Sequence, residues 1–341
     1  MKKKWMLTKS AAVLMLALAL TACGEKEGRS LPEEETTTEA ETTEEETAPE
    51  EETLSPEDME LIKYNYYVDL NNDIVEVIDS IGYYFEVVGE QEEFSLLPDT
   101  GLTYGYRVYG KNTDIIEDCL MLADMEPKYD ELDPLVKEMA EPLRNLMETF
   151  SNISDSYDYA DNQYQKAKEY HAIIYSSADT VVDLGYQFMD AIAAMGDERI
   201  AEDEQKFLDE GRLIIYNASH ALTIGKQILN VIDAQEITDE TITDLDLTEI
   251  RPLYDELVQT VADFDAAAAD NEQMVKESLS NSRPFDGLYE SLVQALEWMM
   301  KQVESGRPLD LSGSGAPLGS IGHFSEVMGK CIDRYNSVFV E

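Results

Sequence analysis

Cationic side chains are scarce. The 341 residues carry 25 Lys and Arg against 72 Asp and Glu, a formal net charge of −47. That field repels phosphate backbones, so nucleic acid is excluded as a partner, and an anionic lipid surface is disfavoured as well. Cationic ligands, metal ions and basic proteins are permitted by it but not required. Histidine numbers only three, and no two share a helix at zinc-pair spacing. There is no nucleophile elbow and no Ser-His-Asp signal. Carboxylates are so abundant that the sequence singles out no glycosidase pair. Long apolar runs are missing too. The longest, residues 11–20, is about half of the ~20 residues that a permanent bilayer-spanning helix needs.

The surroundings of that short run give it meaning. Lys2, Lys3, Lys4 and Lys9 form a positive leader, and Leu20-Thr21-Ala22-Cys23-Gly24 follows, the layout of a signal peptide. The small residues before Cys23 resemble the lipobox of bacterial lipoproteins. The resemblance implies a signal peptide over 1–22, cleavage after Ala22, a diacylglyceryl thioether on Cys23, and a further acyl chain such as palmitate on the new N-terminus. Each buried methylene contributes about 0.8 kcal/mol, so two or three chains hold a protein on a membrane without a spanning helix. An uncleaved anchor, with Cys23 incidental, is the lesser alternative.

Residues 23–55 change character completely. Thr, Glu, Pro and Ala dominate, aromatics are absent, and thirteen acids face only Lys26 and Arg29. Such a stretch has too little apolar surface to offset its chain entropy, and it reads as a disordered tether whose role is spacing. Thr36, Thr37, Thr38, Thr42 and Thr43 stand open as sugar acceptors.

From Pro56 to Glu341 the chain is long enough for a sizeable core, near the upper limit for one domain. It holds 59 acids and 19 bases, mostly the solvated faces of helices. Helical period dominates. Tyr164, Ala167, His171, Ile174, Ala178, Val181, Gly185, Phe188, Ile192 and Met195 recur at three- and four-residue steps. With Asp161 as N-cap and Gly196 as stop, the helix would be about 54 Å long. The same spacing runs from Tyr67 to Val88, entered at Ser55-Pro56 and ended at Gly89. It recurs from Leu135 to Ile153, from Ile200 to Ile232, from Ile250 to Met274, from about Pro284 to Glu304, and from Ile321 to Val338. The fold class is all-α, an elongated antiparallel bundle of six or seven principal helices. Gly185, Gly211 and Gly225 fall within helical stretches and predict close helix contacts.

Three stretches interrupt the pattern. Residues 89–112, with Tyr104, Tyr106 and Tyr109 among glycines, read as a structured loop or small hairpin. Residues 235–249 read as an acidic connector, and Gly306–Gly319 as a connection, because a phosphate loop would need a lysine and a preceding strand.

Lys63-Tyr64-Asn65-Tyr66-Tyr67-Val68 with Asn72, Lys168 and His171 after Tyr157-Asp158-Tyr159, and Tyr335-Asn336 together resemble the YiiG-like family of bacterial lipoproteins. The resemblance covers nearly all of the helical domain. It implies an all-helical envelope protein and brings no catalytic residues. The Thr/Glu tether is not part of that pattern and suggests a Gram-positive cell surface.

Several residues invite a chemical reading and mostly accept a structural one. His171, on the central seam, reads as a hydrogen-bonded core residue ahead of a ligand. His323 and Glu326 stand one helical turn apart and resemble the His-x-x-Glu element of imelysin-like iron-uptake lipoproteins, with the glycine displaced by one residue. They are weak metal candidates, since an i, i+3 pair needs ligands from elsewhere. Asp69, Asn71 and Asp73 begin like a calcium loop, but Ile74 and Ser80 replace the required glycine and glutamate. Cys119 and Cys331 read as buried thiols, with a disulfide the alternative. The nineteen tyrosines read as bundle packing, with a ring-stacking surface for carbohydrate or peptide as the alternative.

The function expected is a lipid-anchored, extracytoplasmic, non-catalytic binding module with no cofactor, meeting a cell-surface protein or a cationic ligand. A metal-binding uptake lipoprotein is the alternative, and an envelope-acting hydrolase is the least supported. The sequence does not fix an oligomeric state.

Overall fold

A computed structural model describes residues 55–95, 97, 112–154, 161–279, 285 and 287–340. The signal segment, Cys23, the tether up to residue 54, Tyr104, Tyr106, Tyr109 and the Tyr157-Asp158-Tyr159 run lie outside the described residues, as does the side chain of Asp161. Among the described residues there are nine α-helices, one 3-10 turn and no strand, as the 3.6-residue periodicity predicts. None of these helices is long and apolar enough to cross a membrane. The described helices gather into two compact units, one ending at Ile192 and the other beginning at Ala193.

The first unit holds α1 (Pro56–Val88), α2 (Asp114–Asp124), α3 (Leu132–Ser154) and the residues of α4 (Asp161–Glu210) up to Ile192. Helix α1 starts at a capping box. The Asp58 N–H donates to Ser55 Oγ at 3.1 Å, and the Ser55 N–H returns the bond to Asp58 Oδ2 at 3.2 Å. It ends at Gly89, whose φ of +83° suits a residue without Cβ. Every seam residue expected on α1, from Tyr67 through Ile74 and Tyr84 to Val88, is buried. On α4 the seam from Ala167 to Ile192 is buried as well. The two helices run antiparallel: Tyr84 pairs with His171, Ile74 lies at Gly185, and Tyr67 meets Phe188. Gly185 permits this approach, because a Cβ there would stand 2.9 Å from Ile74 Cγ2.

The second unit holds the remainder of α4, then α5 (Leu213–Ala234), α6 (Ile250–Ala269), α7 (Asn271–Lys276), α8 (Leu288–Ser305) and α9 (Ile321–Phe339). Gly225 on α5 faces Met328 Sδ, 2.6 Å from where a Cβ would sit, so the expected close contact is present there too. Two helix starts are satisfied by distant carboxylates. The N–H groups of Ile214 and Ile215 donate to the two oxygens of Glu277, each at 2.8 Å, and the Ile321 N–H donates to Asp239 Oδ1 at 2.7 Å. The acidic connector is therefore pinned, with Ile242, Leu245 and Leu247 buried.

Four boundaries differ from expectation. Gly196 does not stop its helix; α4 continues to Glu210 and carries Ile200 and Phe207, which the periodicity had joined to α5. Burying those two side chains outweighs the ~1 kcal/mol that a helical glycine costs. Gly211 is not inside a helix. Its φ of +63° makes it the turn between α4 and α5. The start of α4 is left-handed at Asn162, Gln163 and Tyr164, with φ between 48° and 62°. Met274 sits on the separate α7, which Asp270 caps by accepting from the Glu272 N–H at 2.8 Å.

Candidate functional site

Helices α8 and α9 present apolar residues inward, Leu292, Leu296 and Met299 against Phe324, Met328 and Cys331. Their adjoining outer faces leave a groove. The pair is antiparallel, since Cys331 Sγ donates to Leu288 O at 3.6 Å near one end and the Trp298 and His323 rings lie 5.7 Å apart near the other. The groove has a volume of about 490 Å³ and is lined from α8 by Leu288, Glu290 and Trp298. Helix α9 adds His323, Val327 and Lys330, and the preceding loop adds Leu318. Helical spacing sets this: residues 290, 291, 294 and 298 share one face of α8, and 323, 327 and 330 share one face of α9. Trp298 is 36% exposed and Leu318 61%, much apolar surface to leave in water.

Three polar groups in the groove have unmet capacity. His323 Nδ1 is buried and has no hydrogen-bond partner among the described residues. The residue itself is held in place by its backbone N–H, which donates to Ser320 Oγ at 2.9 Å. Neither Glu290 nor Lys330 closes an ion pair among the described residues, whereas Lys137, Arg144, Lys226, Arg251 and Lys301 each find one.

A second polar centre joins α4, α5 and α6. Glu204 Oε1 accepts from Ser219 Oγ (3.1 Å) and Thr223 Oγ1 (2.8 Å), while Oε2 lies 3.0 Å from His220 Nδ1. The other ring nitrogen of His220 is 3.2 Å from Glu256 Oε1, and Tyr216 stacks on the ring at 5.4 Å. The hydrogen bond to Glu204 raises the His220 pKa above its ordinary value, against the opposing effect of burial. Tyr335 lies against Ser219 without closing a hydrogen bond of normal geometry, and burial pushes its phenol well above the usual range. No residue here is a free nucleophile: the Ser219 hydroxyl donates to Glu204 and is not paired with the imidazole. The centre reads as a clasp.

The first unit has its own clasp. Lys63 is fully buried and donates to Asp133 Oδ2 (2.9 Å), Pro127 O (2.8 Å) and Met125 O (3.3 Å). Asp133 also accepts from Tyr67 Oη at 2.6 Å and from the Tyr129 N–H at 3.0 Å. Further along the same unit, His171 is a core residue: Nε2 faces Gln91 O at 2.9 Å, which makes it the donor, and Nδ1 accepts from Tyr84 Oη at 2.8 Å.

The remaining candidates are dispersed. His323 lines the groove, whereas Glu326 is exposed and does not. No group of three or more His, Cys, Asp or Glu side chains is arranged to hold a metal among the described residues. Asp69, Asn71 and Asp73 lie on the continuous α1 helix, not a loop. Cys119 and Cys331 are buried free thiols, and burial pushes Cys331 up to about 12. Cys23 lies outside the described residues. His220 carried no signal in the sequence, because its partners stand 16 and 36 positions away.

Neither the curated proteins nor the solved structures contain a match to the chain. A family model matches residues 58–337, which takes in all nine helices but for the outermost residues of the first and last. The chain belongs to the family described as a protein of unknown function, DUF3829.

Proposed function

We propose that this protein is a lipid-anchored, extracytoplasmic, non-catalytic binding module whose binding face is the α8/α9 groove. The observation that carries the binding role is the groove itself. It is a concave apolar surface of a size suited to a small ligand, with a buried unpartnered imidazole nitrogen and two unpaired charges. The anchor rests on the positive leader, the short apolar run and Cys23, and the likeness to YiiG-like lipoproteins agrees with it. The tether would hold the helical units away from the membrane surface. The non-catalytic reading rests on the two clasps, whose titratable groups bond to each other and leave no nucleophile beside a base.

Two measurements test this. The Cys23→Ser variant should move from the membrane fraction to the soluble or secreted fraction; retention in the membrane would refute the anchor. Residues 56–341 contain Trp298 as their sole tryptophan, so its emission can be followed against peptides, sugars, metal salts and lipid headgroups. At least one class should shift it saturably, and Leu318→Glu should abolish the shift. If no class gives a Leu318-dependent shift, the groove is not the binding face.

A further inference from the structure

We infer that His220 is a proton-operated latch: with both ring nitrogens protonated it ties α6 to α5 through Glu256, and loss of the Nε2 proton frees that face of α6 while α4 stays fastened. The latch sits in the clasp of α4, α5 and α6 and does not depend on the α8/α9 groove being the binding face.

Both ring nitrogens of His220 face a carboxylate. Nδ1 lies 3.0 Å from Glu204 Oε2 on α4, and Nε2 lies 3.2 Å from Glu256 Oε1 on α6. A neutral imidazole has one N–H and one lone pair, so it can serve only one of two ionised carboxylates and turns its lone pair on the other. The bridge is therefore that of the imidazolium, which donates in both directions. Its charge is favoured by the hydrogen bond to Glu204 first and by Glu256, against the opposing effect of burial.

The two arms differ in what else holds them. Glu204 keeps two further donors, Ser219 Oγ and Thr223 Oγ1, and α4 is tied to α5 a second time by Asp197 and Lys226. Among the described residues Glu256 has His220 as its one ion partner. The Glu204 side chain is 12% exposed and that of Glu256 51%. Losing the Nδ1 proton would strand a carboxylate oxygen where water barely reaches, whereas losing the Nε2 proton leaves Glu256 to be hydrated. The neutral ring thus keeps its Nδ1 proton, and the arm to α6 is the one that opens. The other titratable groups at the clasp stay neutral meanwhile. Tyr216 stacks on the ring from α5 and Tyr335 stands against Ser219 from α9, and burial pushes both phenols up. The latch is closed below the ordinary imidazole value of about 6.5 and opens as pH rises through the raised folded value.

The test uses the full chain carrying Cys23→Ser, which leaves the clasp untouched. Hydrogen–deuterium exchange, corrected for the intrinsic pH dependence of amide exchange, is read on peptides from α6 and from residues 197–210 of α4, with α8 as reference. The three imidazoles are titrated in parallel by nitrogen NMR. Protection of α6 should fall about threefold or more relative to α8 as His220 deprotonates. That of α4 should hold, and the neutral His220 ring should carry its proton on Nδ1. Glu256→Gln should keep α6 closed on both sides of the transition, because a carboxamide accepts from the imidazolium and donates to the neutral ring. Glu256→Ala should leave α6 at the open level throughout. The wild-type measurements need no variant, so the result does not depend on how a variant folds. Protection of α6 that ignores the His220 titration would overturn the latch, as would a fall shared equally by α4, a neutral ring protonated on Nε2, or wild-type pH dependence in Glu256→Gln.

Discussion

Replacing Lys63 by Met removes the cation at the centre of the first unit while keeping the length of its stem. Lys63 Nζ makes three hydrogen bonds, to Asp133 at 2.9 Å, Pro127 O at 2.8 Å and Met125 O at 3.3 Å. It also lies 4.8 Å from the centre of the Tyr129 ring. After substitution Asp133, 5% exposed, retains only Tyr67 Oη and the Tyr129 N–H as donors. It then becomes a buried charge without a counter-ion. Removing one partner of such a pair costs about 3–5 kcal/mol. At 1.4 kcal/mol per factor of ten, protection from hydrogen exchange in α1 and α3 should fall roughly 100-fold or more. The assay is hydrogen–deuterium exchange of residues 56–341 read by mass spectrometry on peptides from α1, α3 and, as internal comparison, α8. The double variant Lys63→Met with Asp133→Leu should recover part of the loss, because it leaves no charge stranded. Loss of less than about 1 kcal/mol in the single variant, or costs that simply add in the double one, would refute the claim that the ion pair holds the loop between α2 and α3 onto α1.

Two further outcomes are expected. The His220 pKa is raised in the folded state by Glu204 first and by Glu256, with Tyr216 stacked on the ring. A raised folded pKa means that the stabilisation is fully present below the unfolded value of about 6.5 and is lost as pH rises through the folded value. Melting temperature should therefore fall as pH rises above the ordinary imidazole value of about 6.5, and the His220→Gln variant should flatten that slope; an unchanged slope would show that His220 carries no proton-linked stability. Gly185→Ala should destabilise more than Gly225→Ala. The new methyl would meet the stiff β-branched Ile74 at 2.9 Å in the first case and the flexible end of Met328 at 2.6 Å in the second. Overpacking against an unyielding neighbour costs about 1–3 kcal/mol, against a gain of up to ~1 kcal/mol in helix propensity. Urea unfolding midpoints would reverse the reasoning if Gly225→Ala proved the worse.

How much of this the sequence revealed depends on the distance over which each feature is determined. The seams of α1 and α4 were readable because burial on a helix repeats every three or four residues, and those positions are buried from Tyr67 to Val88 and from Ala167 to Ile192. Of the glycines, only the close contacts at Gly185 and Gly225 were readable. Gly196 stays helical, Gly211 turns left-handed and Gly185 makes a close contact, three outcomes from one residue type that has no side chain to declare its environment. His323 was noticed for its spacing to Glu326, yet the ring is part of a groove with Trp298, 25 positions earlier. The His220 clasp and the Lys63–Asp133 pair were invisible for the same reason, as each needs partners from another helix.

The remote cap on α5 has a consequence for the order in which this chain can be completed during synthesis. The first turn of α5 offers its N–H groups to Glu277, 63 positions further on. A chain emerging from the ribosome N-terminus first makes α5 long before that carboxylate exists, and water must serve in its place. Helix α9 has the opposite experience, since Asp239 was made 82 residues earlier and awaits it. The α5 end of the second unit is therefore fastened from behind, by a segment made later, and a chain released before residue 277 would carry an α5 with an open end.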